Sequence, residues 1–460
     1  MHSIDHSTTS IGGISPARIA ELRETEAAIF RKARPKSQAM VGNGLPGFFG
    51  GVPMHWMNDW PTPFPILVDS ARGATITDID GIRLDDFCLG DTGSMFGHSP
   101  PPVARAIRRQ AGRGLTYMLP SEDALAIGPL LQQRFGLPFW QIATTATDAN
   151  RFALRVARAV TDREKILVFN GCYHGTVDET FVRLVDGKAV HRPGLLGQTL
   201  DLTANTVVIE FNDVPALGAA LAARDVACVI TEPVLTNSAM VLPEPGFHDA
   251  LRRLTRDAGT LLLIDETHTI STGPGGYKSR YGLAPDFFVL GKPIAGGVPA
   301  SIWGFTQDVA DRLDAVRGGM PAGHSGMGTT LSANALALAA MHATLSEVMT
   351  VAAYAQMEQL AEKLATALAA AIARAKLPWH VARVGARVEF IFAPAPLKNG
   401  SEAETTHIGA LETAVHLGLF NRGVLIAPFH NMMLVCPATR ESDVAKLAAA
   451  FEDVVTALTA

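Results

Sequence analysis

The chain has 460 residues, which at roughly 100–200 residues per domain admits two to four domains or one large α/β unit with attachments. Hydrophobic residues make up 48% and charged residues 18%, so the chain buries enough apolar surface to offset its ordering entropy, and extended disorder is excluded. With 39 Lys+Arg against 44 Asp+Glu, the net charge of -5 gives no broad basic field, so neither nucleic acid nor a membrane is an expected partner.

The first 40 residues are mixed in charge and read as a surface arm, helical only over Pro16–Ala33. They hold no apolar segment of signal-peptide type, and no apolar run approaches the ~18 residues of a membrane span. Cys88, Cys172, Cys228 and Cys436 lie far apart without C-x-x-C spacing. That argues against a disulfide framework or a thiolate metal site, fits a reducing compartment, and gives a cytoplasmic expectation. Val41 to Pro65 is dense in Gly, Pro and aromatics, including Trp56 and Trp60, and reads as an irregular loop that packs on the core, lines a pocket, or does both. Ile66 to Phe87 alternates as extended chain with a hairpin signal at Asp80-Gly81.

Beyond it, short apolar runs alternate with helical patterns. Ile166–Phe169, Val226–Ile230, Leu261–Ile264 and Phe287–Leu290 have strand length, whereas Ala149–Val160 and Gly246–Asp257 have helical spacing. Strands buried on both faces and joined by helical crossovers predict an α/β fold with a mostly parallel sheet flanked by helices. From Leu331 the chain predicts alanine-rich helices to about Ala375, an extended piece at Val388–Phe392, a strand at Val424–Ile426 and a last helix over Ser442–Leu458. This suits a smaller α+β domain formed with N-terminal segments. The expected division is 1–97 for the arm and part of the small domain, 98–340 for the large domain and 341–460 for the C-terminal part of the small one.

In an open α/β sheet, ligands collect beyond the carboxyl ends of the strands. Asn170-Gly171-Cys172-Tyr173-His174-Gly175, Thr231-Glu232-Pro233, Asp265-Glu266-Thr267-His268 and Gly291-Lys292-Pro293 each follow one apolar run. Asp265 and Lys292 decide the reading. A desolvated lysine amine forms a Schiff base with a carbonyl compound, and a buried aspartate holds a ring nitrogen protonated. Pyridoxal phosphate needs both, because its ring takes up the electrons of a broken Cα–H bond only while that nitrogen stays charged. At about 4 Å and an effective dielectric of about 20, the ion pair is worth roughly 4 kcal/mol, about three decades in rate. Thr144 to Asn150 runs into a helix and supplies either an anion site for the phosphate or a plain helix cap. Tyr173 suits stacking on the ring or a place in the core. No His spacing suggests a metal, and His268 reads as a packed or capping side chain in preference to a proton carrier.

Gly97-His98-Ser99-Pro100, Thr145-Ala146-Thr147-Asp148-Ala149, Tyr173-His174-Gly175, Glu232-Pro233-Val234, Asp265-Glu266, Gly291-Lys292 and Thr330-Leu331-Ser332-Ala333-Asn334 together resemble the class III, fold type I pyridoxal-phosphate aminotransferases. That group includes glutamate-1-semialdehyde aminomutase, ω-amine transaminases and β-amino-acid transaminases. The resemblance covers the chain from about Pro63 onward. It implies that Lys292 carries the cofactor and shuttles protons, that Asp265 pairs with the ring nitrogen, that Tyr173, next to His174, stacks on the ring, and that Ala146 and Thr147, after Thr145, bind the phosphate. It further implies that Glu232 and Asn237 orient the ring near its hydroxyl. Thr330 would reach the phosphate of a neighbouring subunit, hence a homodimer with shared active sites.

The chain departs from the family at Ala146, where glycine is usual, and at Thr267, where a valine or isoleucine usually covers the ring and the hydroxyl here is placed to bond a cofactor group. Thr176 stands where members acting on ω-amino acids often carry arginine. The Ala427–Met432 loop lacks the glutamate usual in the aminomutase and is similar, through Phe429-His430-Asn431-Met432, to that of amine:pyruvate transaminases. With Trp56, Trp60, Phe429 and His430 as pocket wall, the expected activity is ping-pong transamination from an amine or hydrophobic amino compound to a keto acid such as pyruvate. The alternatives are an intramolecular 2,1-aminomutase and, from another class, a non-catalytic cofactor-binding protein.

Overall fold

The computed structural model describes residues 10–460; residues 1–9 of the expected N-terminal arm lie outside the described residues. The chain divides into two compact units. One holds the chain up to Asp91 together with Gln356–Pro396 and Thr405–Ala460, and the other holds Thr92–Ala355 with Leu397–Glu404.

The larger unit is built on a seven-stranded sheet whose strands, in chain order, are β1 (Phe139–Ala143), β2 (Lys165–Phe169), β3 (Thr206–Ile209), β4 (Val226–Thr231), β5 (Leu261–Asp265), β6 (Phe287–Leu290) and β7 (Ser301–Phe305). Across the sheet they lie in the order β1-β7-β6-β5-β4-β2-β3, and β7 alone runs against the others. The four apolar runs of the sequence are β2, β4, β5 and β6. Of the three strands it did not single out, two have weaker patterns for visible reasons. β1 is an edge strand with Phe139 and Gln141 exposed. β7 is broken by Gly304, opposite Trp140 in register, where a Cβ would lie 2.6 Å from the indole ring.

Two periodicities meet in the core. Alternate strand residues such as Val168, Ile230, Leu263 and Val289 share one buried cluster with Phe152, Ala153 and Val156 of helix α1 (Ala146–Thr161). Burying each large side chain contributes about 1.5–3 kcal/mol. On the other face Phe169 meets Phe211 at 5.3 Å and Phe247, the first residue of α2 (Phe247–Ala258), at 5.6 Å between ring centroids. The short return Leu397–Glu404 docks against the loop after β2, and Gly400 is required there because a Cβ would stand 2.1 Å from the Asn170 carbonyl oxygen.

In the smaller unit, Val68–Arg72, Thr75–Asp78 and Arg83–Asp86 form an antiparallel meander joined in parallel by Val424–Leu425. A second sheet pairs His380–Val384, Arg387–Ile391 and Met432–Leu434 antiparallel. The helix Pro16–Ala33 carries Ser15 as its N-cap and Pro16 at its first position. Just past its end, Arg34 is buried against Asp78, with Nε 3.0 Å from Oδ2, and its guanidinium lies over the rings of Phe30 and Phe420 at 4.5 and 4.7 Å. Among the described residues all four cysteines are unpaired and buried, and no single helix is long and apolar enough to cross a membrane.

Candidate active site

Because β1, β2, β4, β5 and β6 point the same way, the residues after their carboxyl ends share one rim of the sheet. Asp265 ends β5 in register with Val289 of β6, three residues before Lys292. Its carboxylate is 4% exposed and fully engaged on one side: Oδ2 accepts from Asn150 Nδ2 at 2.9 Å and lies 3.0 Å from His174 Nδ1. Burial works to raise the Asp265 pKa, but the bond and charge of His174, with the Thr267 and Asn150 donors, hold it below the usual carboxylate range. His174 shows the converse. Burial works to lower it, and its bonds to Asp265 and Cys172 raise it to about 10. The two opposite shifts favour the imidazolium–carboxylate form of the pair. Oδ1 accepts the Thr267 N–H at 3.1 Å and keeps a lone pair for a further cationic donor.

Lys292 opens a tight turn over Lys292–Ala295 with φ 43°, a left-handed value that costs a non-glycine residue roughly 1–2 kcal/mol. Strain of this kind persists where the surroundings impose it. Its Nζ lies 2.5 Å from Nε2 of His268, whose Nδ1 is 2.6 Å from Thr236 Oγ1. The Thr236 hydroxyl in turn donates to Oε2 of Glu232, and Asn237 Nδ2 donates to Oε1 at 3.3 Å. Burial pushes the Glu232 pKa up to about 7 against the pull of His174 and of the Thr236 and Asn237 bonds, with Asp265 adding to the rise. His268, expected to pack or cap, is packed at 4% exposure, and its two ring nitrogens lie against Lys292 and Thr236.

Thr145 is the N-cap of α1, its Oγ1 accepting the Asp148 N–H at 3.1 Å. The first N–H groups of the helix, from Ala146 and Thr147, therefore face the rim with its positive dipole end. Beside them the hydroxyl of Thr144 is buried without a partner. Ala146 fits because Gly291 gives way: a Cβ on Gly291 would meet the Ala146 methyl at 2.9 Å. Thr147 Oγ1 accepts the Thr176 N–H at 3.0 Å and clamps the Tyr173-His174-Gly175 loop, where a Cβ on Gly175, at φ 76°, would stand 2.1 Å from that oxygen. Tyr173 is half-buried with Arg192 6.0 Å from its ring centroid. The Thr267 hydroxyl accepts the Gly291 N–H at 3.3 Å, so it also ties the two strand ends together.

Glu266 faces away from this cluster. Its buried carboxylate accepts from Thr269 Oγ1 at 2.7 Å and from the backbone of Tyr277 and Lys278, which makes it an anchor for the following helix. Thr330 lies exposed on the turn before the helix Ala335–Ala343. In the smaller unit Trp56 and Phe429 meet edge to face at 5.8 Å, with His430 6.3 Å from Phe429. Trp60 is not with them; it lines a separate hollow with Arg31, Pro63 and Leu417. Sequence reasoning missed Asn150 and Thr236. The signal available was positional, a polar residue on the core face of a helix and a hydroxyl four residues after Glu232.

The family model for class III aminotransferases matches residues 56–457. The glutamate-1-semialdehyde 2,1-aminomutase of Anaeromyxobacter dehalogenans is 33% identical over 84% of this chain and 89% of its own. A crystal structure of a glutamate-1-semialdehyde-aminomutase from Pseudomonas aeruginosa superposes with a TM-score of 0.95 at 49% identity, covering 97% of this chain and 100% of that one; another, of a variant, is in complex with PMP. An omega-transaminase from Sphaerobacter thermophilus is similar at TM-score 0.82 and 27% identity, over 95% and 98% of the two chains. The residues present fit the cofactor of such enzymes: an anionic Asp265 for a cationic ring nitrogen, an unpartnered Thr144 hydroxyl at a helix N-terminus for a phosphate, and an amine on a constrained turn for an aldehyde.

Proposed function

The chain belongs to the class III aminotransferase family, enzymes that work with pyridoxal phosphate, and on that premise we propose that it is a 2,1-aminomutase, moving an amino group between adjacent carbons of one substrate of the glutamate-1-semialdehyde type. The observation that carries this reading is the 49% identity to the Pseudomonas aeruginosa aminomutase over 97% of the chain. Bound pyridoxal phosphate supplies an aldehyde that captures the amino group and a ring that takes up the electron pair of a broken Cα–H bond. In the proposal Lys292 Nζ holds the aldehyde end and moves the proton. Asp265 keeps the ring nitrogen charged, and His174 and Asn150 fix the Asp265 carboxylate. Ala146, Thr147 and the end of α1 take the phosphate, while Glu232 and Asn237 orient the opposite edge of the ring. Thr330, exposed here, serves the phosphate of a second subunit in a homodimer. The unpaired buried cysteines suit a cytoplasmic setting.

Transfer of the amino group to a separate keto acid such as pyruvate is the second reading. It is favoured by the apolar Trp56–Phe429 edge and by the absence of an acidic side chain in the Ala427–Met432 loop. Purified holoenzyme offered glutamate-1-semialdehyde alone is expected to turn it over without any keto acid. Turnover that requires pyruvate together with an amine donor would replace the aminomutase by the transaminase. Under that second reading Trp56→Ala raises KM for aromatic amines more than for small ones.

A further inference from the structure

Four side chains from three strand ends form one line of hydrogen-bonding groups in the larger unit. Lys292 Nζ is 2.5 Å from His268 Nε2, His268 Nδ1 is 2.6 Å from Thr236 Oγ1, and Thr236 Oγ1 donates to Glu232 Oε2. His268, Thr236 and Glu232 are 4%, 1% and 3% exposed, so water does not short-circuit the line. The Thr236 hydroxyl sets its direction. Since it donates to the carboxylate, it accepts from Nδ1–H, which leaves the Nε2 lone pair facing the lysine. An imidazole with one nitrogen donating and the other accepting passes a proton by exchanging those roles. The titratable groups facing the line are Asp265 on the strand that carries His268, His174 and Cys172 on the loop after β2, Glu232 after β4 and Lys292 after β6.

We propose that His268 is a proton carrier for Lys292, relaying through Thr236 to Glu232. One N–H bond of the Lys292 ammonium breaks as Nε2–H forms. Nδ1–H is given to Thr236 Oγ1, and the hydroxyl proton passes to Glu232. An ammonium and a carboxylate become an amine and a carboxylic acid, and the reverse run reloads the lysine. A buried carboxyl pushed up to about 7 by its burial, as at Glu232, is suited to store that proton. The inference rests on Lys292 as the amine that holds the cofactor and is indifferent to which substrate is natural.

The test uses substrate-free holoenzyme in two measurements, the pH midpoint of its visible absorbance and the rate at which methoxyamine displaces Lys292 from the cofactor, a step in which Nζ must gain a proton. H268Q preserves volume and hydrogen bonding and carries no proton; T236V removes the hydroxyl and T236S keeps it. H268Q and T236V are expected to shift the midpoint by about one pH unit and to slow displacement at least about tenfold, while T236S stays at wild type. E232Q should reproduce the shift of T236V. A glutamine that restores both readouts makes His268 a spacer and overturns the relay, as does a T236V protein equal to wild type. A Lys292→Ala protein that keeps its visible absorbance would sink the assignment of Lys292 itself, a different failure.

Discussion

A buried ion pair can be compared in each unit, Arg34–Asp78 in the smaller and His174–Asp265 in the larger, and the two are built differently. Arg34 and Asp78, in the smaller unit, bond each other at 3.0 Å, and Asp78 Oδ1 accepts the Ile82 N–H at 2.8 Å while two aromatic rings cover the guanidinium. This pair fastens a helix end to a hairpin. His174 and Asp265, in the larger unit, also meet at 3.0 Å, but their other partners are polar side chains: Asn150 donates to Asp265 Oδ2 at 2.9 Å and Cys172 hydrogen-bonds His174. Aromatic rings enclose the first pair, whereas polar groups on the rim of the sheet surround the second, which is the pair that the proposed function sets against the cofactor ring.

The comparison breaks first at Asp265. Asp265→Asn removes the charge proposed to hold the ring nitrogen and is expected to lower kcat by about three decades, roughly 4 kcal/mol, with the cofactor still bound; steady-state kinetics and the visible spectrum report it. Asp78→Asn leaves the Arg34 charge buried and uncompensated, so denaturant melts should show a loss of about 3–5 kcal/mol in stability while kcat of the folded fraction is unchanged. A fall in kcat of the folded enzyme would show that the structural pair also serves the chemistry.

A pH series sharpens the contrast. The His174 pKa is raised to about 10 from an ordinary 6.5, so its contribution to stability is full below pH 6.5 and is lost as pH rises toward 10. Wild type should therefore lose stability progressively across that window relative to His174→Gln. Parallel stability curves for the two proteins would contradict the imidazolium assignment. The smallest effect is expected where both partners of the structural pair are replaced. Arg34→Met with Asp78→Leu should change stability by no more than about 1 kcal/mol, because an apolar pair of similar volume avoids the desolvation cost.

The difference between the pairs also separates what was readable early from what was not. Asp265 and Lys292 stood out because each follows a continuous apolar run, and a parallel sheet aligns such ends. β1 and β7 did not, because Gln141 and Gly304 interrupt their patterns and only the Trp140 ring across the strand pair explains the glycine. Gly291 beside Ala146 is a similar case: the departure from glycine in one loop is offset by a glycine in another. Trp56 and Trp60, near in sequence, line different surfaces.

Local pattern by itself determined the strand and helix periods, the α/β class, the rim on which chemistry collects and the residue types for a Schiff base beside a carboxylate, since each follows from spacing along one segment. Tertiary structure alone decided that Asn150 and His174 hold Asp265, that Glu266 turns away as an anchor, and that His268 lies between Lys292 and Thr236. Hydrogen bonds are directional and act over about 3 Å, so partners tens of residues apart are set by how strand ends come together and not by any period in the chain.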